Sequence, residues 1–257
     1  MRIADHIDLS PGMPAGIGEQ RLDDIVSRVR AYCGHPMSGW HTYDLPSFAA
    51  RRAGHFTHIA PWSLLWADAL GGRITPANLA SFTQEYRSYL AEQIRDLPSQ
   101  DLKSMEDSDV EKVALLCRTG FAGAWAPKMT KLLALYRPDV IPVLDGHVAV
   151  AMGFERTAFS AGRQPRWEKI RRTLFILQRI LKDQAAELTH IREKALEMSP
   201  DLGEATDVRL LDIILWTSQD DRLSRSGSPA NYWRDRGNES AEVSRAPRMD
   251  PVAVYPS

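Results

Sequence analysis

The sequence predicts an all-α fold, a helical bundle. Apolar residues recur at helical spacing along most of the chain, and cap and stop residues bracket those stretches. No convincing β-strand stands out beyond short extended pieces such as residues 140–144. The expected organisation is a loose lead-in over 1–20, one helical unit over 21–219 and a disordered polar tail over 220–257.

Each element has a local reason. Leu22, Ile25, Val26 and Val29 fall at i, i+3, i+4 and i+7 and mark a first short helix. Residues 33–48 are rich in aromatics, with Trp40, Tyr43 and Phe48, and read as irregular. Pro61 opens a helix that Gly71 and Gly72 close, the usual asymmetry of helix ends. Its Trp62 and Trp66, like the later Trp216, lie among apolar neighbours and are expected in the core. Thr75 is the expected N-cap of a helix running to about Asp96, which Pro98 stops. Ser108 with Glu111 forms a capping-box pattern for a helix over 108–118. Residues 119–127, with Gly120, Gly123 and Pro127, form a turn before a helix over 128–136. Pro138 and Pro142 hold residues 137–144 out of regular helix. Asp145 precedes a short helix that Gly153 closes. Residues 166–198 form a long amphipathic helix or a pair, and 207–217 form the last helix. Beyond residue 220 the chain is polar and rich in Ser, Arg, Pro and Gly, a disorder-type composition.

The 257 residues are 44% apolar and 25% charged with a formal net charge of −1, as in an ordinary globular domain. Cys33 and Cys117 are far apart and outside any CxxC pattern, which excludes a disulfide framework and a zinc-ligand set. Free thiols suit a reducing, cytoplasmic location. The N-terminus lacks the apolar stretch of a signal peptide, and no apolar run reaches membrane-spanning length. His35, His41, His55 and His58 lie near Asp44 and Asp68, but no pair has the i, i+4 spacing of a strong metal motif, and no metal is expected.

Charge is unevenly distributed. Residues 112–180 hold twelve basic residues against four acidic ones. Arg163, Arg166, Lys169, Arg171 and Arg172 are the densest part, suited to phosphate contacts or to the solvated side of the long helix.

The stretch with chemical potential runs from Gly120-Phe121-Ala122-Gly123-Ala124-Trp125-Ala126-Pro127-Lys128 to Val143-Leu144-Asp145-Gly146-His147-Val148. Its plan of helix, tight turn, lysine-bearing helix, extended segment, Asp and helix resembles the helix-hairpin-helix DNA glycosylase superfamily, to which endonuclease III belongs. The resemblance implies a glycosylase-like helical fold, DNA as partner and Asp145 as catalytic carboxylate. Lys128 is then the candidate amine, and Lys131, one turn on, competes with it. The positions of the family's G-x-G fall on Ala124 and Ala126, so the hairpin is expected to be reshaped. The family's four-cysteine cluster is absent, so no iron–sulfur centre or other cofactor is implied.

The residue types suit base excision. A fixed carboxylate stabilises positive charge building on the sugar or activates water. A neutral amine attacks the sugar and forms a Schiff base. Trp125 could wedge or stack against an extruded base, and His147 could orient it. Asp145 equally suits a plain N-cap. The sequence is also similar to an uncharacterised bacterial family with a signature met here by Lys128, Leu132, Arg137-Pro138, Ile141-Pro142-Val143 and Asp145. Two rival readings remain: a non-catalytic nucleic-acid-binding protein, and a helical interaction module whose charges are simply solvated.

Overall fold

A computed structural model describes residues 5–10, 16–36, 38–121, 123–160 and 166–219. The expected tail over 220–257 and Arg163 lie outside the described residues.

The chain enters through β1 (His6–Asp8), which pairs antiparallel with β2 (Glu19–Arg21), Ile7 opposite Gln20. The described part of the expected lead-in, residues 5–10 and 16–20, is held against the bundle. Ile7 and Leu9 are buried in the core, and the Ile17 amide donates to the Ala151 carbonyl. Strands of three residues are too short to show the alternation that would reveal them in sequence.

α1 (Leu22–Gly34) buries the expected face of Leu22, Ile25, Val26 and Val29. The aromatic stretch that follows is ordered rather than irregular: a π-helical turn over Trp40–Asp44 runs into α2 (Leu45–Arg52). Pro61–Leu70 is helical, but as a ten-residue 3-10 helix closed by Gly71 at φ 69°. Trp62 on it is exposed at 46%, contrary to the core placement expected, and Trp66 is half-buried. Thr75 caps α3 (Pro76–Ser81) as expected, yet the helix breaks at Phe82. Thr83 supplies a second cap for α4 (Gln84–Arg95), a restart that apolar spacing alone does not reveal.

α5 (Asp107–Arg118) starts one residue before Ser108, which is therefore not the cap, and Glu111 reaches Arg171 instead. α6 (Ala126–Leu133) and the short α7 (Gly146–Ala151) follow. The expected long helix is a pair, α8 (Arg166–Asp183) and α9 (Ala185–Leu196), broken at Gln184. α10 (Asp207–Ser218) ends the described chain.

Among the described residues the architecture is all-α with one two-stranded ribbon. α10 is its axis and packs against α1, α7, α8 and α9. Val208, Leu210, Leu211, Ile213, Ile214 and Leu215 are all buried, the mark of a helix surrounded by others. α8 packs on α5, and α6 packs on the 3-10 helix Pro61–Leu70. Both cysteines are buried and free. No described helix is long and apolar enough to cross a membrane.

Leu174 on α8 is fully buried. Leu174→Ala is expected to lower the unfolding free energy by about 2–5 kcal/mol, read as a reduced urea midpoint with unchanged slope.

Candidate functional site

α10 carries charge where its surroundings are apolar. Arg209 and Asp212 lie on a helix with no solvent face to receive them, so their charges must be met inside the protein. Asp44, 1% exposed on the π-helical turn, meets Arg209 side-on: Nε donates to Oδ1 at 2.7 Å and Nη2 to Oδ2 at 2.9 Å. The Tyr32 hydroxyl from α1 donates to Asp44 Oδ2 and accepts from Arg209 Nη2, both at 3.2 Å. Burial works against the Arg209 charge, but Asp44 and then Tyr32 hold the guanidinium well above its ordinary value.

Asp212 lies one turn on, its Oδ2 3.9 Å from Arg209 Nη1. Burial pushes its carboxyl up to about 8 against the pull of Arg209 and of the Val143 amide, which donates to Oδ2 at 2.8 Å. Its Oδ1 is buried and has no hydrogen-bond partner among the described residues.

That amide bond begins a tightly held segment. The Leu144 amide donates to Thr130 Oγ1 on α6 at 3.0 Å. Asp145 then caps α7, its Oδ1 accepting from the amides of His147 at 2.9 Å and Val148 at 3.2 Å. Three consecutive residues are thus fixed by α10, α6 and α7. Gly146 has no side chain where Arg156 crosses the start of α7; a Cβ there would lie 2.8 Å from Arg156 Cγ.

Lys131 is the amine nearest Asp145. Its side chain is 6% exposed, with Nζ 3.9 Å from Asp145 Oδ2 and donating to the Leu70 carbonyl at 2.6 Å. Burial lowers the Lys131 pKa, Asp145 opposes that shift and Arg209 adds to it. Lys128, the first amine candidate, reaches elsewhere: Nζ donates to the Arg73 carbonyl at 3.0 Å and to Asn78 Oδ1 at 2.9 Å. It ties down the loop after the 3-10 helix, where Arg73 holds a positive φ of 51°.

Asp145 and Arg209 open onto a cleft with an empty volume of about 720 Å³, counted out to its mouth. Tyr32, Leu70, Val143, Ile213 and Trp216 line it as well. Arg209, Ile213 and Trp216 share one stripe of α10 at i, i+4 and i+7. The Trp216 ring centre lies 4.8 Å from that of His147 and 5.8 Å from that of Tyr32. Of the expected site residues only Asp145 lines the cleft; Lys131 contacts the lining residues Asp145 and Leu70, and His147 contacts Trp216. Trp216 packs against the core, as expected, and also lines the cleft.

The remaining candidates gather around the hairpin and α8. Trp125 precedes α6 and is half-buried, with the Arg166 guanidinium 5.3 Å from its ring. Lys169 lies over Phe154 at 5.9 Å and Arg118 over Trp167 at 5.6 Å. Arg171 pairs with Glu111, and Arg172 is on the exposed side of α8. Between α5 and α6 the chain turns, with an isolated antiparallel bridge between Phe121 and Ala124. Gly123 takes the positive φ of 75°, and Gly120 lies so close to Ala124 and Trp125 that a Cβ would clash.

Asp44 and Asp68, noted with the histidines, have structural partners: Asp44 the guanidinium, Asp68 the Ile74 amide. Among the described residues, no group of three or more His, Cys, Asp or Glu is placed to hold a metal ion.

A family model described as a family of unknown function, DUF6308, matches residues 25–219. The chain belongs to the DUF6308 family. No curated protein and no solved structure matches it. The DUF6308 match spans every residue of the cleft, from Tyr32 to Trp216.

Sequence reasoning missed Tyr32, Arg209 and Asp212, and named Asp44 and Trp216 in other roles. Arg209 and Asp212 did leave a signal: two charges three residues apart in the apolar run 208–215. Asp44 left none, because its partner is 165 residues away.

Asp44→Ala is expected to cost about 3–5 kcal/mol of stability, measured by urea unfolding, because it strands a buried guanidinium. The folded protein keeps the Asp212 proton to about pH 8, whereas the unfolded chain releases it near 3.8. The native state therefore binds more protons between those values, and this group's contribution to stability falls as pH rises through the window. Asp212→Asn keeps an acceptor for Val143 and removes that fall. Relative to the variant, the wild-type urea midpoint should drop between about pH 5 and about pH 9.

Proposed function

We propose that this protein is a DNA glycosylase-like enzyme that accepts a damaged or modified base in the cleft, with Asp145 as its catalytic carboxylate. The observation that carries the reading is that Asp145 opens onto a cleft lined by Tyr32 and Trp216, with the buried Lys131 ammonium 3.9 Å from its carboxylate.

Asp145 has one oxygen committed to the α7 cap, which fixes the carboxylate. Its Oδ2 faces only Lys131 at ion-pair distance among the described residues. A carboxylate held this way does not have to reorganise when positive charge grows on the sugar of a breaking N-glycosidic bond. It is also an acceptor for the proton of an attacking water. Trp216 and Tyr32 give the cleft the aromatic lining that an extruded base requires. Arg118, Arg166 and Lys169, each laid over an aromatic ring, supply cations for backbone phosphates. Burial makes Lys131 easier to deprotonate than an exposed lysine, as an attacking amine requires.

A second reading has its own support: the Asp145 cap and the Lys131 bond to Leu70 are each complete as structural contacts. On that reading the protein binds nucleic acid without cutting it.

The test is base release from duplexes carrying single damaged or modified bases. Asp145→Asn, which preserves the cap, is expected to lower release by about 100-fold or more while DNA binding persists. Borohydride trapping then assigns any amine: an adduct lost in Lys131→Gln places the nucleophile at 131, and one lost in Lys128→Gln places it at 128. Salt-dependent binding with no release from any duplex would sink the catalytic reading.

A further inference from the structure

The start of α8 lies where three stretches of chain meet. α5 and α8 run antiparallel, as the pairs Glu111 with Arg171 and Arg118 with Trp167 show. Arg118, at the end of α5, places its guanidinium 5.6 Å from the Trp167 ring. The turn after α5 brings Trp125 to Arg166, whose guanidinium lies 5.3 Å from the ring. Phe154, just past α7, receives Lys169 at 5.9 Å. Cation–ring contacts of this kind occur about once per 70–80 residues, so three on one helical turn set this turn apart.

The three cations have no anion. Among the described residues Arg118, Arg166 and Lys169 make no ion pair and no side-chain hydrogen bond, whereas Arg171 is committed to Glu111. Arg166 and Lys169 are also poorly placed for stability. The first turn of an 18-residue helix is the positive end of its dipole and favours carboxylates. Glu168 is the acid on that turn, but at about 100° per residue it projects away from the face that Arg166 and Lys169 share at i, i+3. A bound anion would offset what the fold leaves uncompensated. The surface is also open: Arg118 is exposed, and Trp125, Phe154 and Trp167 are only half-buried.

We infer that this turn of α8 binds a single strand of nucleic acid, with phosphates on Arg118, Arg166 and Lys169 and bases against Trp125, Trp167 and Phe154. It rests on the proposed function only in assigning these cations to phosphates, and needs nothing of the chemistry at Asp145. The coupling of cation to ring selects the strand form. A duplex keeps its bases stacked and offers phosphates and groove edges, for which cations without rings suffice. An unpaired strand also offers base faces, which stack on aromatic rings and guanidinium planes whatever the sequence.

The test is binding of the full-length protein to a labelled oligothymidylate of about 16 nucleotides, against a hairpin duplex with as many phosphates, by fluorescence anisotropy over a salt series. The single strand is expected to bind about tenfold or more tighter at equal salt. Three phosphate contacts set a slope of about −2 for log affinity against log salt. Arg166→Gln and Lys169→Gln should each bring that slope toward zero by about 0.7. Lys112→Gln removes a lysine already paired with Asp109 and should leave the slope unchanged. Trp125→Ala should weaken the single strand by about fivefold or more with no change of slope, since stacking carries no charge. If Trp125→Ala does not fold, the two α8 glutamine variants still decide.

Single-strand preference with these slopes, and no base release from any duplex, supports the inference and removes the catalytic reading. Base release with the hairpin bound as tightly as the oligothymidylate keeps the catalytic reading and overturns the inference. A slope that Arg166→Gln and Lys169→Gln leave unchanged overturns it too, as does binding of neither probe at low salt.

Discussion

The pairing of Arg209 with Asp44 is the contact on which the rest of the site depends. A guanidinium cannot be neutralised by losing its proton, so α10 can be buried only if a carboxylate travels with it. Asp44 comes from the other end of the described chain, on a π-helical turn, and Tyr32 from α1 closes the pair on its third side. The cleft wall made by α1 and that turn is therefore set by an electrostatic demand of the last helix. Such a pair is weak evidence of net stability, since well-packed apolar residues often serve a core as well. Its consequence is geometric: α10 has one rotation and one depth at which its cation is met.

The same demand reaches Asp145. Asp212, one turn along α10, takes the Val143 amide, and Thr130 takes the Leu144 amide. The Ile141-Pro142-Val143 stretch could not bond itself as a helix, because proline removes an amide and disfavours helix before it. Its buried backbone groups therefore needed side-chain partners. Those partners orient the next residue, so the carboxylate at 145 is placed by α10 and α6 together and not by its own helix alone. A six-residue helix with a fixed cap is a rigid mount for one carboxylate.

Much of the fold was legible because its signals are local. Thr75 caps, Gly71 stops, the prolines at 138 and 142 bar helix, and Asp145 opens α7 as its position implied. The errors fall where the deciding interaction is distant or the element is short. β1 and β2 are three residues each, and what orders them is burial of Ile7 and Leu9 under the bundle. Glu111 fits a capping box by spacing, but Arg171, 60 residues on, claims its carboxylate. The candidate site was half legible. Asp145 was visible as a residue before a helix, and Lys131 as one lysine of two. Which lysine meets the carboxylate depends on where residues 70–73 pass over α6, and spacing along one helix does not encode that.

Charge balance ties these parts together. The buried or nearly buried set holds two cations, Lys131 and Arg209, and three carboxylates, Asp44, Asp145 and Asp212. With all three ionised, the set would carry an uncompensated negative charge in a poorly hydrated space. Burial instead keeps Asp212 protonated to about pH 8, which leaves two cations facing two anions. Each cation then leans to a different side: Arg209 toward Asp44, behind the cleft, and Lys131 toward Asp145, on its wall. The cleft lining therefore holds one guanidinium and one carboxylate whose counter-charges, Asp44 and Lys131, lie outside it, and that arrangement follows from where α10 is placed.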